Sequence, residues 1–319
     1  MRAYGVDTVT LEPWPFGVGW RRGPFTMRLL APHERELIGA SWGWAPGTNG
    51  PVAGDVVYVD ASTSAEFEAR FAGKLGSAWV MVSLPYPRTN PDVATPADSV
   101  RVDSLRQAMR RARTAEQETY LTQQPALLAS QGIAGQIVDG AKEFGLLTMG
   151  GSPDEISPFP QVVIANATYA EFHRLLRGGH RVRVEVNATN TLGRDTLLQW
   201  NTVGEIRGTD RANEVVLLGA HLDSWDLGTG ATDNGAGSIA VLEAARLLGV
   251  LKAAGVRPMR SIRFAFFTGE EQGLYGSQYY ALAHQTELSR FQAVLVLDNG
   301  SGRITGMALQ GWDDLRELW

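Results

Sequence analysis

Hydrophobic residues in the last third of the chain occur in short runs that are separated by segments with helical periodicity. Apolar runs at residues 215–220 and 293–297 and a mostly apolar segment at residues 260–267 predict three buried strands. Residues 238–248 place apolar side chains on one helical face, and residues 276–283 open a second helix. Short strands that alternate with such helices are typical of an α/β sheet with right-handed crossovers.

The first two thirds of the chain follow a different pattern. Residues 11–17 and 41–47 are rich in tryptophan, proline and glycine and predict turns between short strands. A charged segment without glycine or proline at residues 99–122 predicts an exposed helix. We therefore expect three parts: the start of a larger domain with connecting segments at 1–50, an inserted α+β domain at 51–186, and the α/β segment at 187–319.

Composition and charge exclude several classes of function. The chain has 319 residues, enough for two domains, and its 44% hydrophobic and 20% charged residues are typical of a globular protein. A net charge of −5 gives no basic surface for nucleic acid, and no apolar run approaches the ~20 residues of a membrane span. The absence of cysteine excludes disulfides, thiol nucleophiles and cysteine-bound zinc, so any metal must be held by histidine and carboxylates.

Polar residues follow each of the three predicted strands. They are His221 and Asp223 after the first strand, Glu270 and Glu271 after the second, and Asp298 after the third, while Asp233 precedes a predicted helix. Because sites in such sheets form beyond the carboxyl ends of the strands, we expect these side chains to lie together. Each motif alone favours a structural explanation, but their combination predicts a site.

The residue types in this set are those that bind zinc. The candidate ligands are His221, Asp233, Glu271 and Asp298. One bridging carboxylate can hold two ions ~3.5–4 Å apart, as in two-metal hydrolases. Asp223 is placed to accept the second imidazole N–H of His221. Successive side chains of an extended segment point opposite ways, so Glu271 can face a metal while its neighbour, Glu270, acts as general base.

Four motifs closely resemble those of the di-zinc exopeptidases, the family of bacterial leucyl aminopeptidases and plasma glutamate carboxypeptidases. They are His221-x-Asp223, Asp233-Asn234-Gly235, Gly269-Glu270-Glu271-Gln272-Gly273-Leu274-Tyr275-Gly276-Ser277 and Leu297-Asp298. The resemblance implies an α/β fold with a mixed, mostly parallel sheet and helices on both faces. It also implies two zinc ions and a secreted or periplasmic protein, and it leaves a homodimer open.

The resemblance implies a role for each ligand. Asp233 bridges the two ions, and Glu271 binds one of them. His221 and Asp298 complete the ligands of the other. The family's last ligand is a histidine well beyond the third aspartate, but no histidine follows Asp298, and His284 lies on a predicted helix that does not fit. The chain ends inside an amphipathic pattern and begins without a signal peptide, so we expect it to be clipped at both ends. Because the last histidine ligand is missing, we expect the chain as given to bind at most one zinc ion firmly and to be close to inactive.

The implied reaction is hydrolysis of a terminal peptide bond in a peptide or dipeptide. In this reaction, a hydroxide that bridges the ions attacks the carbonyl, and Glu270 is the general base. Asp223 orients His221. The resemblance also implies that the Asp233–Asn234 peptide bond is cis. Aminopeptidase, carboxypeptidase and dipeptidase activities remain open. Two alternatives are a non-catalytic, receptor-like binding protein on the same scaffold, which would have lost ligands, and a single-zinc glutaminyl cyclase.

Residues 51–186 resemble the protease-associated domain that some members of this family carry as an insertion. The resemblance rests on an alanine- and glycine-rich step at residues 132–138, a Pro-x-Val strand at residues 160–164 and a helix stopped by Gly178-Gly179. Such domains carry no chemistry, and they shape access of the substrate.

Overall fold

The structure is a computed structural model that describes residues 1–87, 108, 111–298, 300, 302–304, 306–309 and 311–318. Its strands are β1 (Thr8–Arg21), β2 (Phe25–Ala31), β3 (Arg35–Glu36), β4 (Gly39–Ser41), β5 (Val52–Tyr58), β6 (Trp79–Met81), β7 (Gly135–Asp139), β8 (Gln161–Ile164), β9 (Arg183–Ala188), β10 (Thr191–Ile206), β11 (Arg211–His221), β12 (Arg260–Phe267) and β13 (Phe291–Val296). Its α-helices are α1 (Ser64–Phe71), α2 (Ala115–Ser130), α3 (Asn166–Arg177), α4 (Gly237–Ala253) and α5 (Tyr275–Ala283).

The chain forms two compact units. The first consists of Met1–Phe16 and Leu198–Trp319, and the second consists of Gly17–Leu197. This division differs from the expected one at residues 17–50 and 187–197, which group with the second unit. The reason is strand pairing, because β2 pairs antiparallel with β9 and β4 pairs antiparallel with β8.

The first unit is built on a mixed five-stranded sheet with the order β1-β10-β12-β11-β13. Its central strands are parallel, because β11 pairs in parallel with both β12 and β13. β10 joins β12 in the antiparallel direction. The predicted strands after residue 197 are therefore all present, in a mixed sheet as expected. The apolar run at residues 264–267 of β12 is buried throughout, which fits the central position of this strand, where both faces are covered.

Helices cover both faces of this sheet, as predicted. Phe264 of β12 packs with Val241 of α4 in one hydrophobic cluster. The next residue, Ala265, packs with Tyr280 of α5 in another. Because successive side chains of a strand point to opposite faces, α4 and α5 lie on opposite sides of the sheet.

Two local predictions differ from the structure. The turn expected at residues 11–17 is wrong, because these residues lie within β1. β1 is at the edge of the sheet, where Pro13 and Pro15 interrupt no central ladder. The helix expected at residues 99–122 lies partly outside the described residues, and its described part is interrupted at residues 112–114. Helix α2 begins after Thr114, which forms a capping box with Gln117, and continues to Ser130.

The second unit contains an eight-stranded sheet with the order β3-β2-β9-β5-β6-β7-β8-β4. β5, β6, β7 and β8 pair in parallel. Trp79 and Met81 pack with residues of α3, whereas Val80 packs with residues of α1 and α2. The helices of this unit thus also lie on both faces of its sheet. Across the described part of both units, no helix has the length and apolar character that crossing a bilayer requires.

A buried arginine joins several elements of the first unit. Arg263 of β12 is 8% exposed. Its guanidinium donates to Glu205 at 2.8 and 2.9 Å, to the Tyr280 hydroxyl at 2.9 Å and to Glu287 at 2.9 Å. The hydrogen bond from Arg263 lowers the pKa of Glu287 to about 2. Arg263 therefore ties β10, α5 and the following 3-10 helix (Gln285–Arg290) to the central strand.

We expect Arg263→Met to lower the free energy of unfolding by about 3 kcal/mol near neutral pH, because it removes the cation that pairs with the largely buried Glu205 and one of the cations that pair with Glu287. The pKa of Glu287 is about 2 in the folded chain against an ordinary 4.5. The stabilisation that ionised Glu287 provides is therefore complete at a pH above its ordinary pKa of 4.5, and it is lost as the pH falls towards about 2. Urea unfolding should show the difference between wild type and variant shrinking from about pH 5 to about pH 3.

Arg246→Met is the matched control, since Arg246 pairs with Glu243 on the exposed surface of α4. Exposed ion pairs contribute little to stability, so its unfolding should stay close to that of the wild type at each pH. Equal losses in the two variants would contradict the role assigned to Arg263.

Candidate metal centre

The carboxyl ends of three parallel strands lie side by side in the first unit. His221 at the end of β11 is level with Phe267 at the end of β12, and the Leu222 amide donates to the Phe267 carbonyl at 2.8 Å. On the other side of β11, the Leu297 amide donates to the Gly219 carbonyl at 2.9 Å. The residues that follow these strands are therefore brought to one edge of the sheet, as predicted.

Three of the four predicted ligands converge at this edge. The Nε2 atom of His221 lies 3.1 Å from Oδ1 of Asp233 and 3.3 Å from Oδ1 of Asp298. One ligand atom from each of the three residues lies within 4.8 Å of the others. Glu271 does not belong to this group. Among the described residues, no other group of three or more histidines and carboxylates is arranged in this way.

His221 is held in one orientation. Its side chain is 2% exposed, and its Nδ1 atom lies 3.0 Å from the backbone carbonyl oxygen of Asp223. This contact assigns the proton to Nδ1 and leaves Nε2 to face the carboxylates. The sequence predicted the Asp223 carboxylate as the partner of Nδ1, but its Oδ1 atom lies farther away, at 3.6 Å.

The Asp223 carboxylate instead holds the segment that carries the two glutamates. Its Oδ1 atom accepts the backbone N–H of Glu270 and its Oδ2 atom accepts that of Glu271, both at 3.2 Å. Burial would raise the pKa of Asp223, but the neighbouring His221 imidazole and the hydrogen bonds from the two amides lower it. Asp223 thus stays ionised and connects the end of β11 to the turn after β12.

Sequence reasoning missed Asn234 as a residue of the site. Asn234 is 2% exposed; its Nδ2 atom donates to the Leu297 carbonyl at 2.9 Å, and its Oδ1 atom accepts from the Gly237 amide at 3.0 Å. These bonds hold Asp233 next to the segment that leads into Asp298. A side chain at Gly237 would collide with Asn234 and with the Leu297 carbonyl. The Asp233–Asn234 peptide bond is cis, as the family resemblance implied.

The carboxylates determine the charge of His221. Burial of the imidazole would lower its pKa, but Asp223, Glu270 and Asp298 outweigh this effect and raise the pKa to about 9. In the metal-free chain the imidazole is therefore a cation at neutral pH. A metal ion that binds Nε2 must displace this proton, so metal binding to the group is coupled to proton release.

The carboxyl groups of Glu270 and Glu271 are partly buried among other carboxylates of the site. Burial, followed by the charges of Asp233 and Glu270, raises the pKa of Glu271 to about 7. Burial and the charges of Asp298, Asp223 and Asp233 also raise the pKa of Glu270, although His221 opposes them. These shifts have the sign expected for like charges crowded into a partly dry site.

This donor set fits a zinc ion. One imidazole nitrogen and two carboxylate oxygens are ligands that zinc uses in catalytic sites, and the chain offers no thiolate that would compete. A divalent cation would also offset the repulsion among the carboxylates. His284 is not part of this centre, because its ring nitrogens contact Glu287 and Glu12.

We expect His221→Ala to weaken zinc binding by more than about 100-fold, since losing a residue outside the ligand set already costs 10–100-fold. Titration calorimetry at fixed pH measures the affinity. His180→Ala is the control, because His180 is an exposed histidine of the second unit. Equal zinc affinities in the two variants would remove His221 from the centre.

The segment that contains this centre matches a known family. Residues 201–314 match the sequence profile of Peptidase family M28. All six predicted site residues lie inside this segment. Carboxypeptidase Q of Rattus norvegicus is 43% identical over 120 residues, which is 37% of this chain and 25% of the rat protein.

Two solved structures resemble the chain over most of its length. A peptidase M28 precursor from Shewanella amazonensis SB2B has a TM-score of 0.70 and 25% identity, and the match covers 95% of this chain and 64% of that one. BSAP, a zinc aminopeptidase from Bacillus subtilis, shares the fold with a TM-score of 0.60 and 19% identity over 94% of this chain and 60% of that one. The chain spans less than two thirds of the length of the curated relatives that it matches.

Proposed function

Because residues 201–314 carry a domain of peptidase family M28, we propose that the protein is a zinc-dependent exopeptidase that hydrolyses a terminal peptide bond. The observation that carries the proposal is the convergence of His221, Asp233 and Asp298 beside Glu270. The relatives include a carboxypeptidase by name, and a zinc aminopeptidase shares the fold. The proposal therefore covers exopeptidases in general, acting on peptides or dipeptides outside the cytoplasm.

In this proposal, His221, Asp233 and Asp298 hold one zinc ion, and Asp233 together with Glu271 holds a second. The raised pKa of Glu271, about 7, follows from burial and from the proximity of Asp233, and this proximity supports a shared ligand role. When bound, zinc polarises the scissile carbonyl and lowers the pKa of a water molecule.

Glu270 moves the proton in the proposed reaction. Its Oε2 atom lies 3.8 Å from Nε2 of His221, so its carboxylate borders the ligand group without belonging to it. Burial and neighbouring carboxylates raise its pKa above that of an ordinary glutamate, which is the direction that favours a general base. Glu270 takes a proton from the attacking water and returns it to the leaving amine. The Asp223 carboxylate fixes the Glu270 amide and hence the start of this side chain.

We also propose that residues 51–186 form a protease-associated domain. Support comes from the parallel strands β5 to β8 and from helix α3, which ends before Gly178-Gly179. In this proposal the domain supplies no catalytic residue, and chemistry is confined to the M28 segment.

The proposal is tested by Glu270→Gln in the full-length protein. We expect the kcat for dipeptide hydrolysis to fall by about 10²–10⁴-fold, because the general base is lost while side-chain volume is kept. Zinc content, measured by inductively coupled plasma mass spectrometry, should stay at the wild-type level. Glu243→Gln, on the exposed surface of α4, is the control and should retain activity. Wild-type turnover by Glu270→Gln would contradict the proposal.

A further inference from the structure

The turn between β12 and α5 carries both glutamates and is closed by backbone hydrogen bonds. The Gly276 amide donates to the Thr268 carbonyl and the Tyr275 amide donates to the Gly269 carbonyl, both at 3.0 Å. Gly269 has a φ of +72°, in the left-handed region that favours glycine. The position of Glu270 therefore depends on how Thr268 and Gly269 are held.

Trp14 of β1 contacts both of these residues. The indole lies so close to Gly269 that a Cβ atom there would be 2.6 Å from Cη2 and 3.0 Å from Cζ2 of the ring. The indole Nε1 donates to the Thr268 hydroxyl at 3.2 Å. Trp14 thus touches the two residues that directly precede Glu270, although it is 254 positions away from Thr268 in the sequence.

Aromatic side chains hold Trp14 in this position. Trp14 is 2% exposed. Its ring stacks on Tyr279 with centroids 5.4 Å apart and on Tyr275 at 6.3 Å, and Phe16 meets it edge-on at 5.6 Å. Both tyrosines belong to α5, the helix that begins just after the glutamates. The indole is therefore packed between the start of the turn and the helix that follows it.

We propose that Trp14 is a positioning residue for Glu270 and Glu271. The inference rests on the proposed function, in which Glu270 is the general base and Glu271 is a zinc ligand. The turn is then fixed by two independent constraints. Asp223 accepts the amides of the two glutamates, and Trp14 restrains Thr268 and Gly269 before them.

A role in filling space alone does not account for these contacts. The indole N–H is directed at a single hydroxyl, and the same Thr268 hydroxyl donates to the Trp200 carbonyl of β10 at 3.3 Å. The backbone N–H of Thr268 donates to Asn201, a buried residue of β10 that also binds the Gly276 carbonyl at 2.8 Å. The indole bond thus belongs to a polar network that fixes the start of the turn relative to two strands.

The test compares Trp14→Leu and Trp14→Phe with the control Phe264→Leu in the zinc-loaded, full-length protein. Phe264 is a fully buried aromatic residue of β12 that packs on the α4 face, away from the turn. We expect Trp14→Leu to lower kcat by about 10–100-fold with little change in KM, since a displacement near 1 Å can cost about 10²-fold. Trp14→Phe keeps the stacking and loses the N–H, so its kcat should fall between those of Trp14→Leu and wild type.

A second measurement does not depend on activity. Hydrogen exchange followed by mass spectrometry should show faster exchange over residues 268–276 in Trp14→Leu and unchanged exchange there in Phe264→Leu. Zinc affinity of the group formed by His221, Asp233 and Asp298 should stay at the wild-type value in every variant.

The outcomes separate the two proposals. An inactive wild-type protein would refute the proposed function, while the exchange data would still decide whether Trp14 restrains the turn. An active wild type together with unchanged kcat and exchange in Trp14→Leu would overturn the positioning role. Equal losses of kcat and equal increases of exchange in Phe264→Leu would overturn it as well, because they would reflect general destabilisation.

Discussion

Electrostatic repulsion among carboxylates around one imidazole is the constraint on which the candidate site depends. His221 is surrounded by carboxyl groups of Asp233, Asp298 and Glu270, with oxygen atoms 3.1 to 3.8 Å from its Nε2 atom. These charges raise the pKa of the imidazole to about 9, and burial together with the neighbouring carboxylates raises the pKa of Glu271 to about 7. Both groups therefore keep protons that reduce the negative charge of the site, and a bound divalent cation would reduce this charge in their place.

The scaffold holds these groups together in spite of the repulsion. Three parallel strands end at the same edge, and backbone hydrogen bonds from Leu222 and Leu297 align those ends. Asn234 connects the loop of Asp233 to the third strand end. Asp223 connects the first strand end to the glutamate turn. Folding energy from the buried sheet is therefore available to offset the unfavourable proximity of like charges.

Much of the site could be predicted from the sequence because apolar runs lead into its polar residues, which therefore stand out, as with His221 and Asp298. The prediction that all three strands are buried is wrong for β13, which lies at the edge of the sheet and alternates between half-buried and exposed positions. The same reasoning failed at residues 11–17, because Pro13 and Pro15 suggested a turn and only the edge position of β1 makes them compatible with a strand.

Long-range contacts could not be predicted in this way. The bond from Asn234 to Leu297 spans 63 positions and that from Trp14 to Thr268 spans 254, and no local pattern encodes either one. The partner of the His221 Nδ1 atom is likewise a matter of tertiary geometry, since the carbonyl and the carboxylate of Asp223 are both close and only their distances, 3.0 and 3.6 Å, distinguish them.

We propose that His221, Asp233 and Asp298 form a zinc centre. Anomalous diffraction at the zinc edge, from crystals of the zinc-loaded protein, would locate the ion. We expect a peak about 2.0–2.2 Å from Nε2 of His221 and from a carboxylate oxygen of each aspartate. A peak at another group, such as His284 with Glu12, and none beside His221 would contradict it.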